Sequence, residues 1–243
     1  CGALSGPRRQ HGLHKTCPGL SMVQGVGRWK WMDLTLILKS LPMVQVPFVP
    51  VSSILTENPD NSVGYIALIS RLRSHFQSSS KKYLITGAPQ CLVPDANMGA
   101  MISAVPFDVL WVQYYNTPAC SARAWTNTGD GFSYDAWTRY LSGTASANAK
   151  LYIGLPGSTS AVANPPFYLH PAEALRLIKA FFCRPNFGGV MLWDATYADL
   201  NVNAGLSYHL LIKDYLLVSR KQSFALCCAP SHPAQPHTLL AKT

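Results

Sequence analysis

Acidic residues are scarce in this sequence. Its 243 residues include 20 lysines and arginines but only 11 acids, and only two of those, Glu57 and Glu173, are glutamates. Between Asp33 and Asp60 the sole acid is Glu57. No run of about 18 apolar residues is present, which excludes a membrane-spanning helix of ordinary length although 48% of the chain is hydrophobic. No Cys-x-x-Cys pair occurs among Cys1, Cys17, Cys91, Cys120, Cys183, Cys227 and Cys228, and their odd number argues against a zinc site. The seven histidines are scattered and none pairs at helical spacing with a nearby carboxylate, so no metal and no cofactor is expected. The chain opens at Cys1 without a basic segment followed by an apolar one. No signal peptide is visible, and a fragment or misassembled gene product is expected.

The formal charge of +9 belongs to the two ends. Residues 1–56 hold six basic residues and one acid, and residues 218–243 hold three basic residues and no acid. From Glu57 to Leu217 the counts are 11 and 10, a net charge of +1. A nucleic-acid surface needs basic residues grouped on one face with readout elements, and none is seen. Nucleic acid is therefore not an expected partner.

Regular patterning begins near residue 61. Asn61 or Ser62 can cap a helix with Tyr65, Leu68, Ile69, Leu72 and Phe76 on one stripe. KKYLITGA (81–88), FDVLWVQYYN (107–116), KLYIGLPG (150–157) and GGVMLWD (188–194) read as strands, apolar enough for burial on both faces. Helices are expected over 95–105, from near Ser133, from Pro171 and over 205–217, with a Gly/Thr/Asn loop after the second strand. The apolar run Phe48 to Leu55 is strand-like, but Pro47 and Pro50 weaken it as a central strand. Repeated strand–helix units predict a parallel α/β sheet with its site at the strand C-terminal ends. Glu173, in the first turn of a helix, reads as a structural partner of the helix dipole. Glu57 follows the apolar run in a turn, Asn58-Pro59-Asp60-Asn61, which suits an acid catalyst at a strand end or an ordinary surface residue.

The strand ends supply Ala88-Pro89-Gln90-Cys91, then Gln113, Tyr115 and Asn116, then Gly154-Leu155-Pro156, then Met191-Leu192-Trp193. An amide, a phenol and an indole around one mouth suit a sugar, whose ring has polar edges and apolar faces. The other reading is an apolar core with aromatic ends.

NSVGYIALISRLRSHF, YLITGAPQC, FDVLWVQYYNTPAC, AKLYIGLPGS, the PAEALRLI helix and FGGVMLWDATYAD together resemble the class III, plant and fungal type chitinases of glycoside hydrolase family 18. The resemblance runs from about Glu57 to Leu217. It implies an eight-stranded (β/α) barrel, here partial with about four βα units. It also implies hydrolysis of β-1,4-linked N-acetylglucosamine in chitin with retention, the substrate's acetamide acting as nucleophile. Chitin or chito-oligosaccharides are then the partner, the setting is extracellular, and the chain is expected to be a monomer. Carried across, Glu57 matches the acid, Tyr115 the tyrosine that donates to the acetamide oxygen, Gln113 the glutamine lining the sugar site and Trp193 the tryptophan under the scissile sugar, with Met191 beside it. Cys91 and Cys120 match a disulfide between neighbouring strand ends. Cys183 is expected to be buried and free.

The family motif D-x-x-D-x-D-x-E places aspartates two, four and seven residues before the acid, where this chain has Leu55, Ser53 and Pro50. The aspartate two before the acid orients the acetamide N–H, and Leu55 cannot accept that hydrogen bond. Impaired hydrolysis is expected. The alternatives are an inactive chitin-binding protein or a non-functional truncated or mis-spliced product. Nothing upstream of Glu57 resembles the family. The expected division is an atypical segment 1–56, a partial catalytic domain 57–217 and a disordered or foreign tail 218–243.

Overall fold

The computed structural model of the protein describes residues 51–54, 62–163, 165–222 and 227. Its centre is a five-stranded parallel sheet: β1 (Val51–Ile54), β2 (Leu84–Gly87), β3 (Val109–Gln113), β4 (Lys150–Pro156) and β5 (Phe187–Trp193). Spatial order follows chain order. All C-terminal strand ends therefore lie along one rim, with the helices in the connections. The architecture is α/β, a partial (β/α) barrel. The expected four strands are present and a fifth precedes them. That fifth, β1, begins directly after Pro50 and lies at an edge of the described sheet, where prolines upstream cost no central ladder bonds.

The seven helices described are α1 (Ser62–Gln77), α2 (Gly99–Ala104), α3 (Ala122–Thr128), α4 (Tyr134–Leu141), α5 (Pro171–Phe181), α6 (Ala195–Leu200) and α7 (Tyr208–Lys221). Along β3 and β4, Leu110, Val112, Leu151, Ile153 and Leu155 are fully buried. They join Ile69, Met101, Ile102, Trp137, Leu177, Ile178 and Ile212 from the helices in one apolar cluster. Each such side chain contributes roughly 1.5–3 kcal/mol on burial. The alternate positions Val109, Trp111, Gln113 and Tyr152 are only partly buried, the two-residue alternation of a strand.

Three elements differ from expectation. The segment read as a loop after β3 contains α3, whose N-terminus is capped by Ser121 accepting from the Ala124 N–H. The segment after β5 contains α6 and a small hairpin, β6 (Val202–Asn203) with β7 (Leu206–Ser207). Its two loop residues, Ala204 and Gly205, both have positive φ, as a two-residue hairpin turn requires. Helix α7 runs four residues beyond Leu217, into the segment read as tail, and Ser219 there is fully buried.

One expectation is overturned. Cys183 is neither buried nor free; it is exposed and bonded to Cys227, with Cα atoms 5.3 Å apart. Cys183 lies two residues beyond α5, which packs against α7. The chain leaving α7 is thereby tied back to α5.

Candidate functional site

The rim of the sheet gathers the residues expected at strand ends. Gln113 closes β3, and its backbone N–H donates to Pro89 O at 2.8 Å. Its side-chain Nε2 donates to Ala88 O, also at 2.8 Å. Two bonds to the connection after β2 thus set the amide plane. The carbonyl oxygen and one N–H remain for a ligand. Tyr114 points to the opposite face, fully buried against Phe132 with ring centroids 4.2 Å apart. Tyr115, next in the alternation, is 6% exposed. Burial pushes its phenol above the ordinary tyrosine range. It is therefore a neutral hydroxyl at any working pH, suited to donate to a carbonyl-type oxygen. The chain then turns through Asn116 with φ of 60°, a left-handed conformation that asparagine tolerates.

Met191 and Trp193 come from β5, paired with Gly154 and Pro156 of β4. A Cβ on Gly154 would stand 2.5 Å from Val112 O and 2.9 Å from Met191 Cε. The glycine lets β3, β4 and the methionine close together. Trp193 is half exposed, unusual for so large an apolar group. Its carbonyl accepts from the Gly157 N–H at 2.7 Å. Trp193 thus has its backbone fixed and its indole open to solvent, an apolar surface of the kind that can meet the face of a ring.

The Cys91–Cys120 disulfide is present, with both cysteines buried, and joins the connections after β2 and β3. Cys91 O also accepts from Ser133 Oγ at 2.5 Å and Trp137 Nε1 at 3.2 Å. The rim under Gln113 and Tyr115 is therefore fastened covalently and by hydrogen bonds.

Glu57 lies outside the described residues, three positions past the end of β1. Glu173 is structural, as expected. It accepts from the backbone N–H of His170 and pairs both carboxylate oxygens with the Arg123 guanidinium, at 2.5 and 3.0 Å. Asp194, unassigned from sequence, caps α6 by accepting from Tyr197 N. Sequence reading also missed Asn201, whose Nδ2 donates to Gly157 O at 2.8 Å and to Tyr168 Oη at 2.9 Å. Its partners lie 44 and 33 positions away in the chain, so only the folded structure reveals this. No group of three or more His, Cys, Asp or Glu able to hold a metal occurs among the described residues. None of the described helices is long and apolar enough to cross a membrane.

No protein-family model matches the chain. Curated relatives do. Endochitinase A1 of Aspergillus fumigatus is 42% identical over 158 residues, 63% of this chain and 19% of the relative. A probable endochitinase of Arthroderma benhamiae is 41% identical over 170 residues, 65% of this chain and 23% of the relative. Endochitinase 2 of Metarhizium robertsii is 39% identical over 169 residues, 66% of this chain and 40% of the relative. The chain thus spans only a minor part of these relatives. Among solved structures, a xylanase and alpha-amylase inhibitor protein from Scadoxus multiflorus matches at TM-score 0.52 and 25% identity, over 69% of this chain and 55% of that one. Concanavalin B matches in fold at TM-score 0.51 and 24% identity, over 68% of this chain and 56% of that one.

Proposed function

We propose a function from one premise: the chain belongs to the chitinases of glycoside hydrolase family 18 and carries part of their catalytic domain. The reading is that residues 57–217 bind chitin or chito-oligosaccharides at the strand-end rim, and that hydrolysis is impaired. The observation that carries it is the rim itself. A fixed amide (Gln113), a neutral buried phenol (Tyr115), a thioether (Met191) and an open indole (Trp193) meet along neighbouring strand ends of a chain whose relatives are endochitinases.

In this reading Trp193 and Met191 receive the apolar face of an N-acetylglucosamine ring. Gln113 bonds its polar edge, and Tyr115 donates to the acetamide oxygen. Glu57 is the acid for the leaving oxygen. The acetamide is a weak nucleophile that needs its N–H held by a carboxylate, and Leu55 and Ser53 stand where the motif has aspartates. Losing such a partner costs several kcal/mol, roughly 3–4 for one comparable donor at a transition state. The absent carboxylates also no longer help to keep Glu57 protonated. A catalytically silent chitin-binding protein is favoured by this same pair of residues over full activity. The two disulfides and the likeness to endochitinases support a location outside the cell.

Two assays test the proposal. Retention on insoluble chitin is expected for the full chain and is expected to be lost in Trp193→Ala. Turnover of a chito-oligosaccharide is expected to be slow or undetectable. A brisk rate abolished by Glu57→Gln would overturn the impaired reading, and absence of chitin retention would overturn the binding reading.

A further inference from the structure

We propose that the edge of the sheet formed by the strand N-termini, opposite the rim, is an anchoring surface for a carboxylate-bearing polysaccharide. The inference does not rest on the chitin-binding reading; it assigns the charge that reading leaves unused.

The basic residues lie far apart in the sequence, and the fold collects them. Lys81 and Lys82 sit between α1 and β2, and Lys150 opens β4. Arg220 and Lys221 close α7, whose course brings them to the same edge. Helix α7 starts beside the start of α5, where Tyr208 Oη donates to Leu169 O at 3.0 Å. Its end leads to the Cys183–Cys227 bond, and Cys183 lies between α5 and β5. Both chain ends join the fold here as well. Residues 1–50, with six basic residues and one acid, lead into the N-terminal end of β1. Residues 222–243, with one lysine and no acid, follow α7.

Contacts knit this edge into one surface. Phe76 near the end of α1 stacks on Tyr83 with ring centroids 4.6 Å apart, which closes the turn carrying Lys81 and Lys82. Arg73 of α1 donates to Pro106 O and to Asp108 Oδ2, just before β3. Asp108 O accepts from Lys150 N at 2.9 Å, and Asn186, just before β5, donates from Nδ2 to Ala149 O at 2.8 Å. The carboxylates that face the edge are already paired, Asp108 with Arg73 at 2.7 Å and Asp135 with Arg184 at 3.5 Å. Lys81, Lys82, Lys150, Arg220 and Lys221 are exposed and form no ion pair with a described carboxylate. The acids Asp95, Glu173 and Asp194 belong to the opposite rim. Charge is thus separated along the strand direction.

Cations in the last turn of a helix serve the helix dipole, which accounts for Arg220 and Lys221. Lys81, Lys82 and Lys150 lie in a turn and at a strand start, where no dipole calls for them. They spread over the starts of β2 to β4, roughly 10 Å, and the row continues to the end of α7. One small anion meets one or two of these groups; a polymer with a charge on each unit meets them all. Most are lysines, mobile point charges without the fixed fork of arginine, which suits charge distributed along a flexible polymer. Polysaccharide is favoured over nucleic acid because the two disulfides support an extracellular setting. The two edges face opposite ways, so the chain can hold such a polymer while Gln113 and Trp193 stay free.

The test is retention of the full chain on immobilised polygalacturonate, at about 50 and about 200 mM salt. One variant combines Lys81→Gln, Lys82→Gln and Lys150→Gln. A second combines Lys81→Glu with Lys82→Glu in the surface turn and decides alone if the first does not fold. The natural chain is expected to bind at low salt and to weaken at least about tenfold at high salt. Each variant should weaken low-salt binding at least about fivefold. Trp193→Ala should leave it within about twofold. No retention at low salt overturns the proposal, even where single-stranded DNA or anionic lipid vesicles retain the chain. Retention that ignores salt, or that both variants leave unchanged, overturns it too. Chitin retention is a separate result, so either reading can fail while the other stands.

Discussion

At the residue scale, Glu173 and the positions before Glu57 show what a single carboxylate does in each place. Glu173 is held below its ordinary value of 4.5, first by the hydrogen bonds from Arg123, against the opposing cost of burial. A depressed folded-state value means the unfolded chain binds the proton more readily. Its stabilisation is therefore complete above 4.5 and is lost as the pH falls through the lower folded value. Glu173→Gln is expected to cost about 1–2 kcal/mol at neutral pH, because the Arg123 fork also holds Pro166 O and Tyr168 O and loses its anionic partner. Urea unfolding of both proteins should differ at neutral pH and converge once the pH has fallen below the lowered folded-state value. A difference that persists in acid would mean that Arg123 was not the cause. Upstream of Glu57 the argument runs the other way. Installing aspartate at both Ser53 and Leu55 is expected to raise chito-oligosaccharide turnover at least about a hundredfold over the natural chain. Adding Glu57→Gln to that background should remove the gain. A restored motif that gains nothing would show that the missing aspartates are not what limits hydrolysis.

At the scale of elements, the rim depends on how closely neighbouring strands and their connections are fastened. Gly154→Ala would put a methyl 2.5 Å from the backbone oxygen of Val112, and a strand backbone has little room to yield. The substitution is expected to destabilise by about 1–3 kcal/mol and to weaken oligosaccharide binding through displacement of Met191. Comparison of the urea midpoint with chitin retention checks both halves of that statement. The Cys91–Cys120 bridge spans 29 residues, enclosing β3 and its connections. On a chain-entropy basis its removal by a double serine replacement should cost about 3–4 kcal/mol. Here too the urea midpoint is the measurement, and an unchanged midpoint would show that Ser133 and Trp137 alone hold the loop at Cys91 O.

At the scale of the whole molecule, charge and exposure point to the same kind of partner. The part that resembles the relatives is nearly neutral, while the basic excess sits in residues 1–56 and 218–243. Chitin carries no phosphate charge to neutralise. Binding through the rim is therefore expected to change less than about twofold over a tenfold range of salt, unlike the steep loss that charge neutralisation produces. Chitin retention measured across that range checks it. A steep decline would place the contact in the basic ends instead. Exposed apolar side chains include Trp193 at the end of β5 and Tyr197, Leu200, Val202 and Leu206 in the segment after it.

The sequence by itself determined the four strands β2 to β5, because each is a nearly continuous apolar run between turn residues; that burial alternates along β3 was decided by the fold. It also determined the helices from Ser62 and Pro171, whose stripes and starting residues agree. It marked Gln113, Tyr115, Met191 and Trp193 as rim residues, because strand ends in a parallel α/β sheet share one edge. Short elements were not legible. Helix α6 and the hairpin after it have too few residues to show a period, and α3 carries its main signal in a single cap at Ser121. The Cys183–Cys227 bond was decided by α5 lying against α7, a contact between segments 44 residues apart at their cysteines. The role of Asn201 was decided the same way. Hydrogen bonds to Gly157 and Tyr168, 44 and 33 positions distant, leave no trace in local pattern, because only folding brings their partners within reach.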